Sequence, residues 1–138
     1  DRKKDIIVNA GGDNISPTRV EAKLDIEPEI AQSMLYGDYK NYLVAVIVPD
    51  KDFALNWAKE NGKDQKLESI VKDDDFNRFI KEVVDKVNKN LSVIEQVRKF
   101  ILIDHEFTIE NGMMTPSMKV RRFKVKEKYK DKLENLYS

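Results

Sequence analysis

The chain has 138 residues, 41% of them hydrophobic and 36% charged. Lysine plus arginine equals aspartate plus glutamate at 25 each, so the formal net charge is zero, which argues against a dedicated nucleic-acid binder. There is no cysteine and one histidine, His105, which excludes disulfides, thiolate metal sites, a cysteine nucleophile and a His-rich metal cluster.

This length suits one domain with a proper core. No run of about 18 apolar residues is present to suggest a membrane span. The first residues, Asp1-Arg2-Lys3-Lys4-Asp5, carry no initiator Met and no signal-peptide pattern. The expectation is a piece of a longer protein. The lack of cysteine fits a reducing compartment.

In chain order, residues 5–8 read as a short strand. Asn9 to Asn14 form a turn rich in residues that accept positive φ. Ile15 returns as a second short strand, giving a small hairpin. Ser16 is placed as N-cap and Pro17 at the first helical position of a helix that runs to about residue 25. Residues 30–36 read as a strand, with a turn at Gly37 to Asn41. Residues 42–48 are continuously apolar and rich in β-branched side chains, the pattern of a central strand covered on both faces. A helix follows from about Asp52 to Glu60. Residues 63–73 read as irregular or weakly helical.

The clearest helix spans 74–90. Phe76, Phe79, Ile80, Val83, Val84 and Val87 share one of its faces, and Asp73 to Asp75 favour its N-terminus. That stripe is core rather than a cofactor box. Residues 99–103 give another strand. The chain ends in a helix near 122–136 with Tyr129, Leu133 and Leu136 as its apolar stripe. The fold class is α+β: a small hairpin followed by a three-stranded sheet flanked by helices.

Between the last strand and the last helix lies Thr115-Pro116-Ser117-Met118-Lys119-Val120-Arg121-Arg122, preceded by the loop Glu110-Asn111-Gly112. The final 20 residues hold eight Lys or Arg, so composition alone does not select one. Lys119 stands out by its setting. Pro116 restricts Thr115 to extended geometry, and Gly112 allows a turn that other residues resist. A lysine between such a turn and a helix start is held by backbone on both sides.

Two segments resemble one family. Arg2-Lys3-Lys4-Asp5-Ile6-Ile7, with Gly11-Gly12-Asp13-Asn14-Ile15-Ser16-Pro17 and Val20-Glu21, is similar to the hinge motif that opens the C-terminal domain of adenylate-forming enzymes. Thr115 to Arg122 resembles the lysine motif near the end of the same domain. Its Thr-Pro-x-x-Lys-x-x-Arg form is similar to long-chain fatty acyl-CoA synthetases, while many short-chain relatives carry a Gly directly before the lysine. The resemblance covers nearly the whole chain, residues 1–138, with the hinge near 3–5.

It implies a mobile C-terminal domain partnered by its own large N-terminal domain, which would bind ATP, Mg2+ and the acid. The full enzyme would convert a fatty acid and ATP to acyl-AMP and pyrophosphate. It would then transfer the acyl group to coenzyme A after rotation about the hinge.

By resemblance, Lys119 assists adenylation and Arg2 contacts the ribose hydroxyls. Lys4 is the hinge, and Gly12, with Gly11 beside it as the alternative, lies where the pantetheine arm approaches. No protein metal ligand and no nucleic-acid partner are implied. The isolated fragment is expected to be inactive. The setting is expected to be cytoplasmic, with room for peripheral membrane contact of the full enzyme.

Read without the family, Arg2, Lys3 and Lys4 are a basic cluster, Gly11-Gly12 an ordinary turn, and His105 structural or solvated. Two other readings compete. One is an adenylation domain that loads a carrier-protein thiol. The other is a non-catalytic module using the basic stretch 119–132 on an anionic surface, which Glu127, Asp131 and the zero net charge oppose.

Overall fold

The computed structural model describes residues 6–137. A two-stranded antiparallel hairpin comes first: β1, Ile7–Val8, and β2, Asn14–Ile15. Helix α1, Pro17–Asp25, follows directly. Its N-cap position is Ser16, as expected, but the hydroxyl makes no capping bond and pairs with Thr18 Oγ1 at 3.2 Å.

The main sheet holds β3, Ile30–Tyr36, β4, Leu43–Pro49, and β5, Val97–Leu102, in the order β3-β4-β5. The first pair is antiparallel and the second parallel. Between β4 and β5 run α2, Lys51–Glu60, the single turn α3, Leu67–Ile70, and α4, Asp74–Asn88. A long segment then leads to α5, Arg122–Asn135.

Strand β4 organises the packing, and all seven of its residues are buried. Successive side chains of a strand point to opposite faces. Leu43, Ala45 and Ile47 join a core built with α1, α2 and α4, whose contributions include Val20, Leu24, Ala54, Phe76 and Ile80. Val44, Val46 and Val48 join a second core with Phe107, Met113 and Met114. Helix α5 closes that second core through Val125, Tyr129 and Leu133, which lie at steps of four on one helical face. Val125 extends the apolar stripe read from the sequence, whereas Leu136 lies just past the helix and is only partly buried.

The C-terminus is fastened to the sheet by tyrosines. Tyr137 Oη donates to the Tyr42 carbonyl at 2.9 Å, and Tyr42 Oη to the Leu136 carbonyl at 2.9 Å. Tyr36 Oη donates to Glu134. Burial, followed by its bond to the Glu134 carboxylate, pushes the Tyr36 phenol up to about 12.

Asp25 ends α1 and accepts from Ser33 Oγ at 2.8 Å. Desolvation, with a smaller push from the charge of Glu21, raises its carboxyl from 3.8 to about 6 against the pull of the Ser33 bond. The folded chain therefore holds this proton more tightly than the unfolded chain. That contribution to stability is full below about pH 4 and is lost as the pH rises through about 6. Part of the residue faces solvent, which reduces the free energy at stake. Asp25→Asn should raise the thermal midpoint at pH 7.5 and leave it nearly unchanged at pH 4. A mutant-minus-wild-type difference that is the same at both pH values would contradict this.

Candidate functional site

Lys119 sits on a tight hairpin loop. The Thr115 N–H donates to the Lys119 carbonyl at 2.8 Å, and the Met118 N–H to the Thr115 carbonyl at 2.8 Å. Pro116 takes the first central position of that turn, where its fixed φ is already correct. Met118 closes the loop with φ 67°, the left-handed residue that ends a three-residue hairpin connection. A residue with a Cβ adopts that conformation at a cost on the order of 1 kcal/mol. A glycine at the position before the lysine would adopt it freely.

Thr115 grips the lysine from the other side as well. Its Oγ1 accepts the Lys119 N–H at 3.1 Å and lies 2.9 Å from Ser117 Oγ. One rung below, Met114 bridges Val120, and the Arg121 N–H donates to the Met113 carbonyl at 2.7 Å. Met113 and Met114 are buried, so the base of the hairpin is plugged into the second core. The feeding loop is ordered by Asn111, whose Oδ1 accepts from the Thr108 and Met113 N–H groups, both at 3.0 Å. Gly112 has φ 79°, the turn expected there. The Lys119 backbone is thus fixed on both sides while its side chain is exposed. Among the described residues no carboxylate pairs with its ammonium.

Three residues after Lys119, Arg122 makes a contact that the sequence reading did not foresee. Its Nη1 and Nη2 donate to Glu21 Oε2 and Oε1, each at 2.5 Å, in a bidentate pair. Glu21 Oε2 also accepts the Leu35 N–H at 2.7 Å. Both side chains are largely buried, at 16% and 9% exposure. Glu21 belongs to the first motif and Arg122 to the second, so this pair joins segments 101 positions apart. The signal was present in the sequence as a charged residue of each sign, one at the end of each motif. Nothing in the spacing paired them.

Gly12 lies at the tip of the β1–β2 hairpin with φ 87°, while a Cβ added there would meet nothing within 4 Å. Backbone conformation, not crowding inside the chain, calls for glycine. Gly11 has no such requirement, so of the two glycines Gly12 is the conformationally special one. Asn9 Oδ1 shapes the tip by accepting the Gly11 and Asp13 N–H groups at 3.0 and 2.9 Å. The hairpin rests on the β3–β4 turn through the bonds Ala10 N–H to Lys40 O and Tyr39 N–H to Val8 O, at 2.9 and 2.7 Å. Arg2 and Lys4 lie outside the described residues. Lys119 and Gly12 make no contact with each other in the described hydrogen-bond network and occupy separate loops.

His105 is bonded on both ring nitrogens, to Asp104 Oδ1 at 2.9 Å and to Tyr129 Oη at 2.6 Å. Burial, and then the nearby Asp104 charge, push the Tyr129 phenol up to about 12. The histidine thus braces α5 against the turn after β5. Among the described residues no three His, Cys, Asp or Glu side chains converge to hold a metal, and no helix is long and apolar enough to cross a membrane.

Residues 4–138 match the model of the AMP-binding enzyme C-terminal domain. The chain belongs to this family. As an AMP-binding C-terminal domain it is 35% identical over 139 residues to the long-chain-fatty-acid–CoA ligase FadD15 of Mycobacterium tuberculosis, covering 99% of this chain and 23% of that protein. It is 30% identical to human long-chain-fatty-acid–CoA ligase 1, covering 100% of this chain and 20% of the relative. The chain therefore spans about a fifth of the length of these relatives. Among solved structures, the adenylation domain of a carboxylate reductase from Mycobacterium chelonae superposes with TM-score 0.79 at 30% identity, over 99% of this chain and 20% of that one. The α+β architecture, with its small hairpin and three-stranded sheet, is that of the family's domain.

The bidentate pair gives a direct test. Removing one partner of a buried ion pair typically costs about 3–5 kcal/mol. Glu21→Ala should lower the urea unfolding free energy by about 3 kcal/mol, whereas Glu21→Leu combined with Arg122→Met should recover most of that loss. A loss below about 1 kcal/mol in the single variant would show that the pair is not needed.

Proposed function

We propose that this chain is the mobile C-terminal domain of a long-chain acyl-CoA synthetase. In the first step a carboxylate oxygen of the fatty acid attacks the α-phosphorus of ATP, and pyrophosphate leaves. Negative charge grows on the phosphoryl and carboxyl oxygens as the new bond forms. The ammonium of Lys119 is suited to that charge. It is exposed, has no competing carboxylate among the described residues, and is carried by a loop locked through Thr115. A positioned donor at developing charge is worth on the order of 10²–10³ in rate.

In the second step the thiol of coenzyme A attacks the acyl carbon and AMP leaves. Rotation about Lys4 would withdraw Lys119 and bring the Gly12 turn toward the pantetheine arm, with Arg2 on the ribose hydroxyls. A hinge at the end of an element, just before β1, suits such a motion. ATP and Mg2+ would be held by the large domain. The described residues of this chain offer no converging ligand set for the metal.

The observation that carries the reading is the fixed, exposed Lys119 in a chain that matches the family from residue 4 to residue 138. A second reading keeps the adenylation step and changes the acceptor to a carrier-protein thiol. It is favoured by the 30% identity to carboxylic acid reductase structures, one of which includes a carrier-protein domain.

In the full-length parent, Lys119→Ala should slow acyl-adenylate formation by about 10²–10³. Thioester formation from pre-made acyl-adenylate should stay within about threefold of wild type. Survival of both half-reactions would remove Lys119 from the chemistry. Offering coenzyme A and a phosphopantetheinylated carrier protein as alternative acceptors separates the two readings.

A further inference from the structure

Strand β5 is an edge of the three-stranded sheet, since the strand order is β3-β4-β5. In a parallel pair, alternate residues spend their backbone groups on the neighbouring strand. The Ile103 N–H donates to the Ile47 carbonyl at 3.1 Å, and Ile47 stands opposite Leu102. That phase turns the N–H and C=O of Phe100 and Leu102 away from β4. Among the described residues, no bond outside the β4–β5 ladder reaches these groups. At the start of the strand, Asn88 of α4 donates to the Val97 carbonyl and accepts the Val97 N–H, both at 2.9 Å, and so closes the edge there. Beyond that residue the edge is open.

A shallow groove of about 380 Å³ lies against this stretch. Its apolar surface comes from Phe100, which packs on the first core, and Leu136, which packs on the second. Four cations surround it: Arg78 and Lys81 from α4, Arg98 and Lys99 from β5. No carboxylate lines it among the described residues. Asp75 holds Arg78 at 2.9 Å, and Asp85 holds Lys81 at 3.1 Å. Arg98 and Lys99 are exposed, and among the described residues no carboxylate pairs with either.

These features select the occupant. Cations on an edge strand are a known guard against self-pairing. Two copies joined through β5 would set Arg98 and Lys99 of one against cations of the other, and like charges facing across strands destabilise. An acidic strand meets the opposite field. A bilayer surface would answer the charge but leave the open N–H and C=O groups without strand partners. An extended polypeptide with alternating acidic and apolar side chains answers the open backbone, the apolar floor and the basic rim together.

We propose that the open edge of β5 takes up an extended acidic segment of a partner protein as a fourth strand. The segment pairs with the backbone of Phe100 and Leu102. An apolar side chain of the segment rests on Phe100 and Leu136, and its carboxylates meet Arg98 and Lys99. In this mode of recognition main-chain bonds supply affinity and the side-chain pattern supplies selectivity.

The test uses the full-length parent and, as probe, a fluorescein-labelled peptide of alternating Glu and Val. Its anisotropy should rise to saturation, and a Lys-Val peptide of equal length should not bind. Methylating the backbone nitrogens of the Glu-Val peptide removes its strand donors and keeps every side chain, and should weaken binding at least tenfold. Arg98→Glu combined with Lys99→Glu should weaken the Glu-Val peptide at least tenfold and leave the thermal midpoint unchanged. Lys124→Glu combined with Lys130→Glu, the same charge change at exposed positions of α5, should stay within twofold. Hydrogen exchange across residues 97–103 should slow when the Glu-Val peptide is bound.

The proposal is overturned if the Glu-Val peptide does not bind saturably, if the methylated peptide binds equally well, or if the Arg98 and Lys99 reversal changes nothing. It is equally overturned if the peptide is ignored while phosphatidylglycerol vesicles retain the wild type and not the double variant, which would make a membrane the occupant. A dimer seen by sedimentation that pairs through residues 97–103 would overturn it in favour of a second copy.

Discussion

The Glu21–Arg122 pair is the interaction on which the rest of the site depends. One carboxylate receives both guanidinium nitrogens and also the Leu35 N–H of β3. Three elements therefore meet at one buried charge: α1 from the first motif, β3 from the sheet, and the start of α5 from the second. Such a pair does not maximise stability, because desolvation consumes much of the Coulombic gain. It does fix geometry, since a bidentate fork tolerates little rotation. Here the fixed object is the first turn of α5, and through it the lysine hairpin three residues upstream.

The hairpin and the sheet divide the remaining work. Strand β4 is buried on both faces and separates two cores, one shared with α1, α2 and α4 and one closed by α5. Met113 and Met114 seat the hairpin in the second of these. The loop above them can then hold Met118 in a left-handed conformation without unravelling. Backbone strain of this kind persists where the surroundings over-determine the geometry, and it gathers at sites where position matters. On the proposed reading, a domain that turns between two poses as a rigid body would need its lysine preset in this way.

Much of this was legible in the sequence, for physical reasons that differ by element. The alternation of two cores leaves β4 a continuous apolar run, and α4 carries the plain stripe of a helix packed on one side. Both were read with nearly correct bounds. The Lys119 loop was legible because Pro116 and Gly112 punctuate it. Strand β5 begins at Val97 rather than 99, because Arg98 and Lys99 are exposed at the sheet edge and mask the strand pattern. Helix α4 ends at Asn88 rather than 90, where Asn88 turns its side chain to pair with both backbone groups of Val97. Ser16 stands at its cap position but spends its hydroxyl on Thr18. The Glu21–Arg122 pair was invisible, since it arises from a contact between distant segments. Of the candidate site residues, Lys119 has its backbone held on both sides, and Gly12 has a positive φ of 87°. Arg2 and Lys4 lie outside the described residues.

The central claim is that a single ammonium at position 119 serves the adenylation step. The chain contains no cysteine, so Lys119→Cys introduces one addressable thiol here, and alkylation with bromoethylamine rebuilds an ammonium at nearly the lysine's length. The parent carrying Lys119→Cys would be assayed for acyl-adenylate formation before and after this treatment, with iodoacetamide as the neutral comparison and Lys119→Ala treated identically. The account predicts that aminoethylation restores adenylate formation by tenfold or more and that the neutral adduct restores none. Equal activity in the two adducts would contradict it.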